Sequence, residues 1–181
     1  YYTFIHCDKD WIRSDIFHGD FLEGFPENPI EDYRSSFNTT VKYTHYNLIF
    51  PNDKIRFKLS GNYILSVYQA EEPDKPLITR RFIVTEDAAG IGINMHRPRM
   101  TADVDTHQQI DFTVNISKLN VTDPYSDIYA CILQNGRWAT AKCNLKPEFF
   151  SSRELKYSSL SDKTIFPGGN EFRYFDIKSI R

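Results

Sequence analysis

Few of the residue types that do chemistry stand close together in this chain. The tightest grouping is His6-Cys7-Asp8 with Asp10, a base, a nucleophile and carboxylates in one short stretch. Adjacent strand residues point to opposite faces, so His6 and Cys7 cannot serve one site without a bulge, and a cysteine hydrolase is disfavoured. The remaining histidines, His18, His45, His96 and His107, never fall at the i, i+2 or i, i+4 spacing that sets two imidazoles on one metal. Their ordinary reading is that of half-buried strand or loop histidines. Cys7, Cys131 and Cys143 form neither Cys-x-x-Cys nor a Cys/His zinc pattern. Pro167-Gly168-Gly169-Asn170 lacks the Lys-Ser/Thr and helix that follow a phosphate loop, so it reads as a turn. With no nucleophile elbow, zincin or dinucleotide-glycine pattern either, no catalytic residue, metal or cofactor is expected.

The elements that must position these residues are strands. Short alternating runs rich in β-branched and aromatic residues recur at Tyr2 to Cys7, Val41 to Phe50, Tyr63 to Tyr68 and Ile78 to Val84. Residues 62–84 read as a hairpin with a polar connection through Glu71 to Pro76. Between Ser14 and Ser36 the alternation fails, and an ordered excursion pinned by Phe17, Phe21, Phe25 and Tyr33 is expected. A second set of runs begins after Glu86-Asp87-Ala88-Ala89-Gly90: Ile91 to His96, Ile110 to Ile116, Ile128 to Leu133, Arg137 to Ala141 and Phe172 to Ile177. Phe149 to Tyr157 reads as a single helical turn starting near Ser151 or Ser152. Gln134-Asn135-Gly136-Arg137 carries the clearest local signal, because Asn-Gly accepts the positive φ at both central positions of a type I′ hairpin turn.

The 181 residues are 40% hydrophobic and 15% aromatic, which suffices for one or two domains and favours strands. Lys+Arg 22 against Asp+Glu 24 gives a net charge of −2, without the basic field of a nucleic-acid binder. A mean hydropathy of −0.50 and the lack of any apolar run near ~18 residues exclude a transmembrane helix. The expected fold is all-β, two immunoglobulin-like β-sandwich domains in tandem, at residues 1–86 and 87–181, the first read as truncated at its start.

Several strings carry a resemblance: Tyr43-Thr44-His45-Tyr46, Ser60-Gly61-Asn62-Tyr63, Thr79-Arg80-Arg81-Phe82, Thr106-His107-Gln108, Gln134 to Trp138 and Pro167 to Arg173. In order and spacing the chain resembles the type IX secretion system plug protein family. The resemblance implies a periplasmic, non-enzymatic protein, associated with the outer membrane, whose β-domains dock on a large outer-membrane translocon β-barrel and close its pore from the periplasmic side. It implies no nucleic-acid partner and no direct membrane insertion. In that family further strands precede and further domains follow the matching region. Candidate partner-binding residues are Trp11, Phe21, Phe25, Arg137 and Trp138, aromatic and arginine side chains of the kind that anchor interfaces. The competing reading is a carbohydrate-binding β-sandwich with exposed aromatics as stacking platforms.

Two packing expectations follow from alternation and register. One of Arg80 and Arg81 should be largely buried and bonded to a carboxylate or carbonyl. A two-residue turn at Asn135-Gly136 sets Cys131 opposite Thr140, about 10 Å from Cys143 at ~3.3 Å per residue, so no disulfide is expected between them.

Overall fold

The computed structural model describes residues 1–158, 162–171 and 174–175. The fold is all-β and divides into two units, Tyr1–Glu86 and Asp87–Arg181.

In the first unit, β1 (Tyr2–Cys7) is followed by a short helix α1 (His18–Phe21), β2 (Leu22–Glu23), β3 (Asp32–Ser35), β4 (Thr44–Asn47) and β5 (Arg56–Phe57). The hairpin of β6 (Gly61–Val67) and β7 (Ile78–Val84) completes an antiparallel sheet ordered β1-β6-β7. Alternation puts Tyr2, Phe4 and Tyr63 on one face, where they pack with Phe21, Leu22 and Ile55. Rings do most of the filling: Phe4 lies 4.9 Å from Phe50 and 5.1 Å from Phe57, and Tyr63 is 5.5 Å from Phe82. The aromatic excess of the sequence is spent here.

Of the four aromatics expected to pin the Ser14 to Ser36 excursion, Phe21 alone enters the core; Phe17, Phe25 and Tyr33 are exposed. Phe21 succeeds because α1 turns it inward beside Leu22, while Tyr33 is drawn into a pairing with β4. The arginine expectation also fails. Arg80 and Arg81 are both exposed, Arg80 donating to the neighbouring Thr79 carbonyl at 3.1 Å and Arg81 lying 4.8 Å over the Trp11 ring. The sheet is three strands wide and β7 is its edge, so neither face of that edge is fully covered.

The second unit is built on β9 (His107–Asn115). The strand before it, β8 (Gly90–His96), pairs along one side of β9. After α2 (Pro124–Asp127) come β10 (Ala130–Ile132), β11 (Lys142–Leu145), β12 (Phe149–Phe150), β13 (Glu154–Tyr157) and β14 (Ile165–Pro167). β13 and β14 share the other side of β9, and β12 pairs with β13. Phe112, Leu155 and Tyr157 fill the core with Ile116 and Leu145, and the Phe112 and Tyr157 rings stack at 4.3 Å. The segment read as a helical turn is the β12–β13 hairpin. Ser151 does cap a turn, its Oγ accepting from Glu154 N at 3.1 Å, but the turn joins strands. The expected strand from Phe172 to Ile177 falls largely outside the described residues.

Cys131 and Cys143 form a disulfide, with Cα atoms 3.9 Å apart, against expectation. The Asn-Gly turn itself is as read: φ is 54° at Asn135 and 68° at Gly136, and Arg137 N donates to Gln134 O at 3.1 Å. What differs is its surroundings. Trp138–Thr140 winds into a 3-10 turn instead of continuing as a strand, so Ile132 pairs with Lys142 and the two cysteines meet.

Candidate docking site

The β3–β4 hairpin is formed by Asp32↔Asn47, Tyr33↔Tyr46, Arg34↔His45 and Ser35↔Thr44 pairs, and all eight residues are exposed. Its pairing extends to Ser36, whose N–H donates to Tyr43 O at 2.8 Å, while Tyr43 N donates to Ser36 Oγ at 3.0 Å. The tip turns at Asn38, in the left-handed region at φ 54°, and is held by Thr39 Oγ1 donating to Val41 O. At the base, Ile30 and Leu48 pack on the first core, and Lys54 Nζ bonds Glu31 at 2.7 Å. The ribbon is thus tied down at its root and free along its length. It carries Tyr33, Tyr43 and Tyr46, with the Tyr33 and Tyr46 rings 5.7 Å apart, and ends in Val41 and a Phe37 that is 93% exposed. Aromatics held on a rooted ribbon lose little entropy on contact, which suits them as interface anchors.

The residues singled out from sequence are distributed differently. Trp11 is half-buried under Arg81, Phe21 is 7% exposed within the core, and Phe25 is 75% exposed. Phe21 is therefore withdrawn as a contact residue: its ring faces Tyr63 and His6. Arg137 is exposed beside the Asn-Gly turn and Trp138 is half-buried in the 3-10 turn, both in the second unit. The second strand of the hairpin lies within the Val41 to Phe50 run read as a strand, whereas its first strand was missed because the Ser14 to Ser36 stretch reads as irregular. Its signal was Tyr33 and Tyr43 alternating with polar residues on either side of a turn-rich Ser36 to Lys42 segment.

The titratable groups form no nucleophile and base pair around Cys7. Cys7 is buried, donates toward Ile5 O at 3.7 Å, and has its thiol pushed up first by burial and then by Asp8. His6 points to the other face and bonds Ser14 Oγ at 2.9 Å. In the second unit Asp111 joins His96 at 2.9 Å and Arg99 at 3.2 Å. Among the described residues no group of three or more His, Cys, Asp or Glu is placed to hold a metal, and no helix is long and apolar enough to cross a membrane.

A second apolar surface lies on β8. Register places Ile91, Ile93 and Met95 on the face of Val114, Phe112 and Ile110, the core face, yet they are 66–68% exposed. No β8 residue joins the second core cluster.

Residues 1–86 match the type 9 secretion system plug protein first-domain family. They belong to that family. The plug-family domain thus holds the exposed hairpin, the aromatic core and the excursion. A crystal structure of a hypothetical protein from Parabacteroides merdae ATCC 43184 is similar over both units, with a TM-score of 0.86 and 32% identity, covering 95% of this chain and 43% of that one. This chain spans less than half the length of that protein. No curated protein matches it.

Proposed function

We propose that the chain is part of a non-enzymatic plug subunit of the type IX secretion system. In this reading its immunoglobulin-like domains lie in the periplasm at the outer membrane, dock on the translocon β-barrel and close its pore from the periplasmic side, with the β3–β4 hairpin as the principal contact. The membership of residues 1–86 in the plug family carries the proposal. Two features support its details. A rooted, fully exposed aromatic ribbon is the shape that enters the mouth of a larger assembly, and closing a pore takes bulk and fit, with no reactive group needed. The Cys131–Cys143 disulfide supports an oxidising compartment such as the periplasm.

The test is co-purification of the translocon barrel from envelope extracts with the full-length protein and its variants, each checked by thermal melt. Phe37→Asp and Tyr33→Asp are expected to weaken capture more than tenfold, ~1.4 kcal/mol, because a desolvated contact does not absorb an unpaired charge. Phe25→Asp and Trp138→Ala measure the contribution of the other candidates. Capture undiminished in both hairpin variants would reject the hairpin as the contact, and no capture by the parent would reject the partner.

A further inference from the structure

The excursion after β1 runs beside the outer edge of that strand without closing it. At one end Tyr2 N donates to Asn28 O at 2.8 Å and Asn28 N to Tyr2 O at 3.1 Å; at the other, Ser14 N donates to His6 O at 2.9 Å. Outward backbone groups of an antiparallel edge strand belong to alternate residues, so the residue between these two anchor points is Phe4. Among the described residues no bond to its outward N–H or C=O is found, although Phe4 is 2% exposed. A buried pair of backbone groups takes a partner from outside the chain, water or ligand.

That gap opens on a cavity of about 330 Å³, at the small end of ligand-site sizes. Phe4, Arg13, His18, Glu27, Tyr68 and Asp74 are among the residues that line it. Tyr68 is 3% exposed and its hydroxyl interacts with the Glu27 carboxylate; His18 Nε2 is sealed and unbonded. Burial first, then the Glu27 charge and its hydrogen bond, push the Tyr68 phenol up, so the hydroxyl stays protonated, donating toward Glu27 and keeping its oxygen lone pairs to accept. Burial pushes His18 down, which leaves its imidazole neutral. Two carboxylates against one guanidinium give the lining an acidic balance.

We propose that this cavity binds a basic residue of an extended peptide segment. Its main chain pairs with the N–H and C=O of Phe4, and its ammonium or guanidinium group lies between Glu27 and Tyr68. An acidic side chain would meet like charge, an apolar one would give the Glu27 carboxylate no donor, and a simple amine would leave Phe4 unmatched. The site stands apart from the docking reading above.

The experiment is a titration of the intact, ¹⁵N-labelled chain with N-acetyl-arginine N-methylamide, alongside the corresponding glutamate and leucine compounds and butylammonium. The arginine compound is expected to move the Phe4 amide and the His18 and Tyr68 ring signals saturably, while the glutamate and leucine compounds do not. Glu27→Gln and Tyr68→Phe, both folded by melt, should weaken this binding by roughly tenfold, the loss of one charge-assisted or buried hydrogen bond. If one variant fails to fold, the other carries the comparison. No saturable shift at Phe4, an equal response to the glutamate compound, or undiminished affinity in the folded variants would overturn the proposal and leave a water-filled cavity. Butylammonium binding as tightly as the arginine compound would overturn the peptide component.

Discussion

Tyr63 shows how a single side chain couples packing to pH. It is fully buried, its Oη donates to Leu59 O at 2.8 Å, and burial pushes its phenol up from 10.0 to about 12. The folded state thus holds the proton more tightly than the unfolded chain. The resulting stabilisation is complete below pH 10 and is lost as pH rises through about 12. Denaturant titrations at several alkaline pH values should show the first domain weakening in that window. Tyr63→Phe should remove that dependence while costing about 1–2 kcal/mol at neutral pH, where the Leu59 carbonyl loses its donor. An alkaline limb unchanged in the variant would assign it elsewhere. His96 runs in the same sense at lower pH: its bond to the Arg97 carbonyl and then its contact with Asp111 raise it above 6.5. The second domain should therefore lose that contribution as pH rises past 6.5, and Asp111→Asn should flatten the trend in melts from pH 5 to 8.

At the scale of elements, the strands were legible wherever alternation and turn chemistry agreed. The β6–β7 hairpin and the Asn135-Gly136 turn are of this kind, since glycine, asparagine and β-branched spacing act locally. What escaped the sequence was set by tertiary competition. Arg137-Trp138 looks like strand, yet Trp138–Thr140 closes a 3-10 turn, and that shift alone brings Cys131 to Cys143. The candidate contacts fared likewise: residue type named Phe21, which the core took, and passed over Phe37 on the exposed ribbon, because exposure depends on what lies opposite in space. The β8 face tests such a reading directly. Ile93 sits on the core side of its sheet but is 68% exposed, whereas Leu155 is fully buried. Ile93→Lys should change stability by no more than about 0.5 kcal/mol, and Leu155→Ala should cost about 2–5 kcal/mol. A large penalty for Ile93→Lys would mean that the β8 face is covered in solution.

For the whole chain, the two hydrophobic clusters share no residue: one lies within residues 2–84 and the other within 110–157. Each unit therefore has its own source of cooperativity, and unfolding need not be two-state for the chain. The disulfide provides a handle on one of them. It links residues 12 apart in sequence, entirely within the second unit. Closing a loop of that size stabilises by about 3 kcal/mol in the chain-entropy account. Calorimetry with and without reductant should show two transitions, one of which falls by roughly 10–20 °C on reduction while the other stays in place. Tyr63→Phe should move the transition that reductant spares. Because Cys7 is also present, buried in the first unit, the double substitution Cys131→Ser with Cys143→Ser must reproduce the effect of reductant. A single transition displaced by both perturbations would show that the two cores unfold as one, and the assignment of separate stabilities to the plug-family domain and its neighbour would fall.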